Sequence, residues 1–140
     1  MNIDNIHNGY VLDHIKAGKA MEIYEYLSLE KLDCTVAIIK NVKSSKMGKK
    51  DIIKIDEDIE INMEILGYIA PDITINRIRD DKLFSKEKPP LPVRLKNIIN
   101  CKNPRCITTA EPGLDRIFVL SDEQHRKYRC IYCDSERSEC

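Results

Sequence analysis

From Tyr10 to Ile15, directly after Gly9, apolar and polar side chains alternate, and this two-residue period predicts a strand. From Lys19 the period lengthens. Ala20, Ile23, Tyr24 and Leu27 recur at i, i+3, i+4 and i+7, which predicts an amphipathic helix ending near Glu30. The β-branched run Thr35–Ile39 predicts a second strand and Asp51–Ile55 a third, with the polar stretch 43–48 read as a loop between them. Ile61, Ile65, Leu66 and Ile69 trace a shorter helix that stops before Pro71, and Ile73–Ile78 return to strand. Strand, helix, strand, strand, helix, strand is the split β-α-β order of ferredoxin-like folds: an α+β domain (βαββαβ) with both helices on one face of a sheet.

Pro89, Pro90 and Pro92 then fall within four residues, a stretch that cannot be helix interior and reads as a stiff connector. It divides the chain into domains 1–92 and 93–140. The second domain is organised around two cysteine pairs, Cys101-x4-Cys106 and Cys130-x2-Cys133, with 23 residues between them. Thiolates at such spacing face one ion from a single turn, and two facing turns supply the four sulfurs of a closed tetrahedral zinc site. The alternative is a pair of disulfides, which a secreted protein would favour. A closed Cys₄ site keeps no position open for water or substrate, so its expected role is structural, with one Zn²⁺ per chain. A module of this size is too small for an independent hydrophobic core, and metal binding, worth about 10–16 kcal/mol apparent in small zinc peptides, would supply the missing stability. Ile117–Leu120 and Tyr128 are its expected strands, making it a small all-β unit.

Composition narrows the function classes. In 140 residues, Lys+Arg and Asp+Glu are 23 each, and the sequence pI is about 6.8. Nucleic-acid binders usually carry a basic excess, so this balance weighs against that class. Residues 1–8 are polar and show no secretory signal, and no apolar run approaches a membrane span, so a cytoplasmic protein with reduced thiols and no membrane partner is expected. Cys34, in a β-branched run, is expected to be a buried small hydrophobe, and Cys140 a terminal thiol. No Gly-x-Ser-x-Gly, Walker loop or His-Glu-x-x-His occurs, and nothing resembles an activated nucleophile. The expectation is a binding protein without catalytic residues.

In the first domain, six lysines at 40, 43, 46, 49, 50 and 54 fall within fifteen residues. Most read as a solvated face, but Lys54 lies between Ile53 and Ile55 and must put its ammonium at a sheet face or rim. Asp13 and His14 end the first strand and, by strict alternation, point to opposite faces. Asn76 and Ile78 share a face in the last strand, where the amide could read a base edge while Ile78 packs on it. Lys86 follows near the connector, in reach of a phosphate.

The segments Gly9–Ile15, Met47–Ile55, Ala70-Pro71 and Thr74–Ile78 together resemble the regulatory chain of aspartate carbamoyltransferase. So do Pro90-Leu91-Pro92, Cys101-x4-Cys106, Ala110-Glu111-Pro112 and Cys130-x-Tyr132-Cys133. The likeness runs in order over nearly the whole chain. It implies a non-catalytic subunit with an allosteric domain that binds CTP, often with UTP, as inhibitor and ATP as activator. It also implies a zinc domain that docks on the catalytic chains. Regulatory chains would pair as homodimers and transmit feedback control of pyrimidine synthesis. Carried over residue by residue, the nucleotide contacts fall on Val11, Asp13, His14, Lys54, Asn76, Ile78 and Lys86, with the backbone of residues 3–6 along the base. Asn103 matches a position that contacts the catalytic chain. Asp81 stands where some relatives carry Tyr beside the base, and the seven residues after Cys133 imply a terminal strand that is missing or reduced. The alternative from another class is a zinc-ribbon nucleic-acid-binding protein using the lysine-rich loop, against which the knuckles lack interleaved aromatic and basic residues beyond Arg105, Arg126, Lys127 and Arg129.

Overall fold

The structure, a computed structural model, describes residues 6–111 and 113–138, and of Ser138 the backbone alone. The chain divides into two compact units, Met1–Pro90 and Leu91–Cys140.

In the first unit the strands are β1 (Gly9–Lys16), β2 (Val36–Ser44), β3 (Gly48–Ile55), β4 (Thr74–Arg79) and β5 (Lys82–Glu87), with helices α1 (Ala20–Tyr26) and α2 (Met63–Ile69). The sheet order is β2-β3-β1-β4-β5, with every neighbouring pair antiparallel. Its first four strands have the expected ferredoxin-like order. Cross-strand register fixes the two faces. Leu12 lies opposite Ile53 and Ile75 on one, and Val11 lies opposite Lys54 and Asn76 on the other. Leu12, Ile53 and Ile75 are fully buried, and α1 packs against α2 and β3. On the second face Val11, Ile52 and Ile78 form a smaller cluster with Ile6 and the half-buried Val42.

Several elements depart from the sequence expectation. The first helix ends at Tyr26 rather than near Glu30, because Ser28 turns left-handed (φ +54°). Leu29–Lys31 then form a 3₁₀ turn that buries Leu29. The expected loop 43–48 is mostly strand: β2 and β3 pair up to Ser44 opposite Gly48, and Gly48 takes φ +78° at the hairpin end. Helix α2 begins at Met63, not Ile61, because Asn62 is its cap, its Oδ1 accepting from the amides of Glu64 (3.0 Å) and Ile65 (3.3 Å). Strand β5 was not expected at all. Asp80 (φ +50°) and Asp81 (φ +65°) form a two-residue turn with both centres left-handed, which folds β5 back on β4 as a hairpin. Cys34 is half-buried, not buried, since it precedes β2 outside the sheet.

The second unit holds a four-stranded sheet, β6 (Arg94–Lys96), β7 (Ile117–Asp122), β8 (Lys127–Cys130) and β9 (Glu136–Ser138), in sequence order and antiparallel. One short helix, α3 (Ile107–Ala110), interrupts the otherwise all-β unit. Leu95, Phe118 and Tyr128 are its buried core, and the Tyr128 hydroxyl donates to the Pro92 carbonyl at 2.6 Å. A short strand, β9, follows the last of the four cysteines. No helix among the described residues is long and apolar enough to cross a membrane.

Candidate functional sites

The second sheet face of the first unit carries a pocket of about 200 Å³ lined by Val11, Asp13, His14, Thr74, Asn76, Leu83 and Lys86. A bulge creates it. Between Leu12 and Ile15 strand β1 slips register against β3, with His14 at φ +58°. The extra residue breaks the alternation, so Asp13 and His14 line the same pocket and do not point to opposite faces. A strict period of two could not foresee this.

Inside the pocket the charges are ordered. Lys50 Nζ lies 2.9 Å from Asp13 Oδ1, and the His14 amide donates to the same carboxylate at 2.7 Å. Burial pushes the Asp13 carboxyl up, but these two hydrogen bonds outweigh it and hold the carboxyl below its ordinary range. His14 Nδ1 lies 3.1 Å from the Thr74 hydroxyl. Burial lowers the imidazole; Asp13 opposes, and the ammonium groups of Lys50, Lys46 and Lys88 add to the lowering. The pocket therefore presents a neutral imidazole and an ion-paired carboxylate within a field set by lysines.

Asn76 is held in place, its Nδ2 donating to the Val11 carbonyl at 3.2 Å. Lys54 and Ile78 share the pocket's sheet face but do not line it. Lys54 is 7% exposed beside Val11, and Ile78 is 1% exposed within the cluster of Ile6, Val11 and Ile52. Of the segment 3–6, residues 3–5 lie outside the described residues, and Ile6 is buried on this face. Thr74, Leu83 and Lys50 were not singled out in the sequence. Thr74 could have been, since it lies two residues from Asn76 on the same strand face. Leu83 depends on β5, and Lys50 was one of six similar lysines.

Residues 7 and 8 are tied down near this face. His7 donates its amide to Asp56 Oδ1 (3.0 Å), accepts the Asp81 amide (3.0 Å) and places Nδ1 2.9 Å from Asp81 Oδ1. Asn8 Oδ1 accepts from the Asp80 amide at 3.1 Å.

In the second unit Cys101, Cys106, Cys130 and Cys133 bring their sulfurs within 4.8 Å of one another. The closest approaches, 3.4 Å for Cys101 to Cys133 and 3.7 Å for Cys106 to Cys130, are far above the roughly 2.0 Å of a disulfide. They match the roughly 3.8 Å that a tetrahedron of 2.3 Å metal–sulfur bonds requires. The disulfide alternative is set aside; all four are free thiols. Backbone turns aim them: Cys106 N–H reaches the Asn103 carbonyl (3.1 Å), and Asp134 N–H reaches that of Cys130 (2.9 Å). Asn103 Oδ1 accepts from the Arg105 amide at 3.0 Å, bracing the first knuckle from within. The hydrogen bond between Cys133 Sγ and Ser135 Oγ (3.2 Å) lowers the Cys133 thiol to about 6, and Thr108 lowers Cys106, while burial raises Cys130 and pushes Cys101 up to about 12. Each close pair thus joins a thiol lowered by a neighbouring hydroxyl to one raised by burial, and a metal ion bound there displaces the remaining thiol protons. The donor set fits a soft, tetrahedral metal ion.

An antiparallel sheet domain with a basic, ordered pocket, carried in one chain with a four-thiolate metal module, defines a two-unit ligand- and metal-binding protein. Family models for the aspartate carbamoyltransferase regulatory chain match both units: the allosteric domain over residues 1–89 and the metal-binding domain over residues 93–140. The regulatory chain from Clostridium botulinum (strain Hall) is 49% identical over 134 residues, covering 96% of this chain and 92% of that one. That of Clostridium tetani is 47% identical (96% and 94% covered), and that of Bifidobacterium longum 40% (97% and 98%). The chain belongs to the family of aspartate carbamoyltransferase regulatory chains, the non-catalytic subunits of that enzyme, whose partners are catalytic chains. The zinc-ribbon nucleic-acid alternative is not favoured.

Proposed function

We propose that the first unit binds CTP, alone or with UTP, as inhibitor and ATP as activator, and that this occupancy sets the activity of the associated catalytic chains. The observation that carries the reading is one pocket formed by Val11, Asp13, His14, Asn76 and Lys86. Asn76 and Lys86 lie far from Val11, Asp13 and His14 in the sequence, yet all five line one cavity. Val11 supplies an apolar wall for a base, and Asn76 an amide at its edge. Lys86, with Lys50 and Lys46 near His14, supplies positive charge for phosphates. Lys54 and Ile78 act from beneath the lining, where they are buried.

In this reading the metal is one Zn²⁺ per chain, supported by four thiolate donors at tetrahedral separation and by a closed site. Bound zinc cross-links the knuckles and performs no chemistry on a substrate. Free thiols support a reducing, cytoplasmic setting. The second unit is proposed to dock on the catalytic chains, which is supported by exposed apolar side chains beside the knuckles: Ile107 (50%), Ile131 (48%) and Tyr132 (44%). The same reading assigns Asn103 to that contact. Pairing with a second regulatory chain is supported by the open strand edges at β2 and β5.

Calorimetric titration of the intact chain with CTP tests the ligand reading. Lys86→Ala is expected to weaken binding about tenfold to a hundredfold, the equivalent of roughly 1.5–3 kcal/mol for a charge-assisted hydrogen bond. Unchanged affinity in both Lys86→Ala and His14→Ala places the site elsewhere.

A further inference from the structure

Three of the four metal-ligand cysteines are held by their own local structure. Cys106 caps α3 and is 1% exposed; Cys130 ends β8, with its amide bonded to the Ser135 carbonyl at 3.0 Å; Cys133 has the Ser135 hydroxyl 3.2 Å from its sulfur. Cys101 differs. It lies in an irregular segment beyond β6, half-buried; the Asn103 amide bonds its sulfur, and the chain leading into it is set by how residues 97–100 are held.

Two arginines hold that segment, and they come from distant strands. Arg116 lies just before β7. Its carbonyl accepts the Asn97 amide (2.7 Å), its own amide donates to the Asn97 side-chain Oδ1 (2.8 Å), and its guanidinium reaches the Asn97 carbonyl (3.1 Å) and Asn100 Oδ1. Arg137 lies in β9, paired with Tyr128 of β8. Its guanidinium donates to the Asn100 carbonyl at 2.6 Å, across 37 residues of sequence. That carbonyl belongs to the peptide group whose N–H is that of Cys101, so the bond orients the peptide plane from which this ligand projects. A cationic donor also suits the place, because four thiolates around a divalent ion leave two negative charges.

We propose that Arg137 is a positioning residue of the metal centre: through the Asn100–Cys101 peptide it locks the first knuckle to the terminal strand, and metal retention depends on it. The proposal rests on the metal reading of the four cysteines and adds an outer partner that acts on a ligand's backbone rather than on its sulfur. Outer-shell partners of this kind typically contribute tenfold to a hundredfold to metal affinity. The short β9 thereby has a use beyond extending the sheet. Its neighbour Glu136 makes surface ion pairs with Lys127 (3.3 Å) and Arg129 (3.2 Å) and provides the natural control.

The test uses the full chain loaded with zinc, measuring release to a chromophoric chelator, and in parallel the visible spectrum of the cobalt-substituted protein. Arg137→Ala is expected to release zinc about tenfold to a hundredfold faster and to alter the tetrahedral cobalt–thiolate bands, while Glu136→Gln behaves as wild type. If Arg137→Ala does not fold with zinc present, Arg137→Lys, which keeps the charge and one donor, is expected to release zinc at an intermediate rate. Wild-type release and spectrum in the Arg137 variants overturn the proposal. So does equal acceleration by Glu136→Gln, which would assign the effect to strand pairing. A wild-type chain that takes up no zinc or cobalt overturns the metal reading itself, a distinct result.

Discussion

Single residues decide how β1 can be used. Gly9 opposes Ile78 where β1 begins, and a Cβ placed there would lie 1.9 Å from the Ile55 carbonyl oxygen and 2.8 Å from the Glu57 amide nitrogen. Both are backbone atoms that cannot move aside cheaply. Gly9→Ala is expected to destabilise the first unit by about 3 kcal/mol, read from urea unfolding. His7 acts at the opposite side of this face. Its hydrogen bond with Asp81, then the charge of Asp81, raise the imidazole above its ordinary 6.5 against a small opposing effect of burial, with Asp80 and Asp56 adding to the rise. A raised folded value means that the protonated form is stabilised. The contribution is full below the ordinary value and is lost as pH climbs through the raised one. The stability difference between wild type and His7→Gln, measured by urea unfolding, is therefore expected to be larger at about pH 5.5 than at about pH 8.5. A difference that grows with pH would contradict the pairing with Asp81.

Elements are placed by their ends. Asn62 starts α2 by accepting two amides that the helix itself cannot satisfy. Asn62→Ala is expected to cost about 1 kcal/mol and to fray the first turn, seen as faster amide exchange at Glu64 and Ile65. The Asp80-Asp81 turn has the same standing for β5. Both residues are left-handed, so the hairpin tolerates them at some strain, and the turn also supplies the amides that capture His7 and Asn8. One two-residue loop thus sets the edge strand carrying Leu83 and anchors residues 7 and 8. The bulge in β1 works likewise, trading one ladder position for two polar side chains in one pocket.

At the scale of the molecule, the two units differ in what holds them. The first buries two apolar clusters around a five-stranded sheet, whereas the second has a short sheet and four converging thiols. Removing the metal with a mercurial and chelator is therefore expected to unfold residues from about Lys96 onward and leave the first unit's circular dichroism largely intact. Stripped protein is expected to bind CTP but not to sediment with catalytic chains. Assembly that survives stripping would show that the second unit is not the docking surface. Loss of CTP binding with the first unit still folded would show that the units do not divide the work.

Local pattern by itself determined four of the five strands and both helices of the first unit, through alternation in β1, β-branched or Ile-rich runs in β2 and β3, and helical spacing of the apolar residues in α1 and α2. Spacing likewise singled out the four cysteines whose sulfurs the fold brings together, since a knuckle is a local structure and only its pairing is remote. Most of the pocket residues were legible through the resemblance, not through any pattern of their own. Tertiary structure decided the rest. Whether Asp13 and His14 face each other's side depends on a bulge, which arises from register against β3 and not from either residue's preference. Strand β5 has exposed Leu83 and Phe84 and no apolar alternation, so it exists only because the turn returns it to β4. The role of Arg137 was illegible because its partner is a backbone carbonyl, which every residue possesses and no sequence can mark.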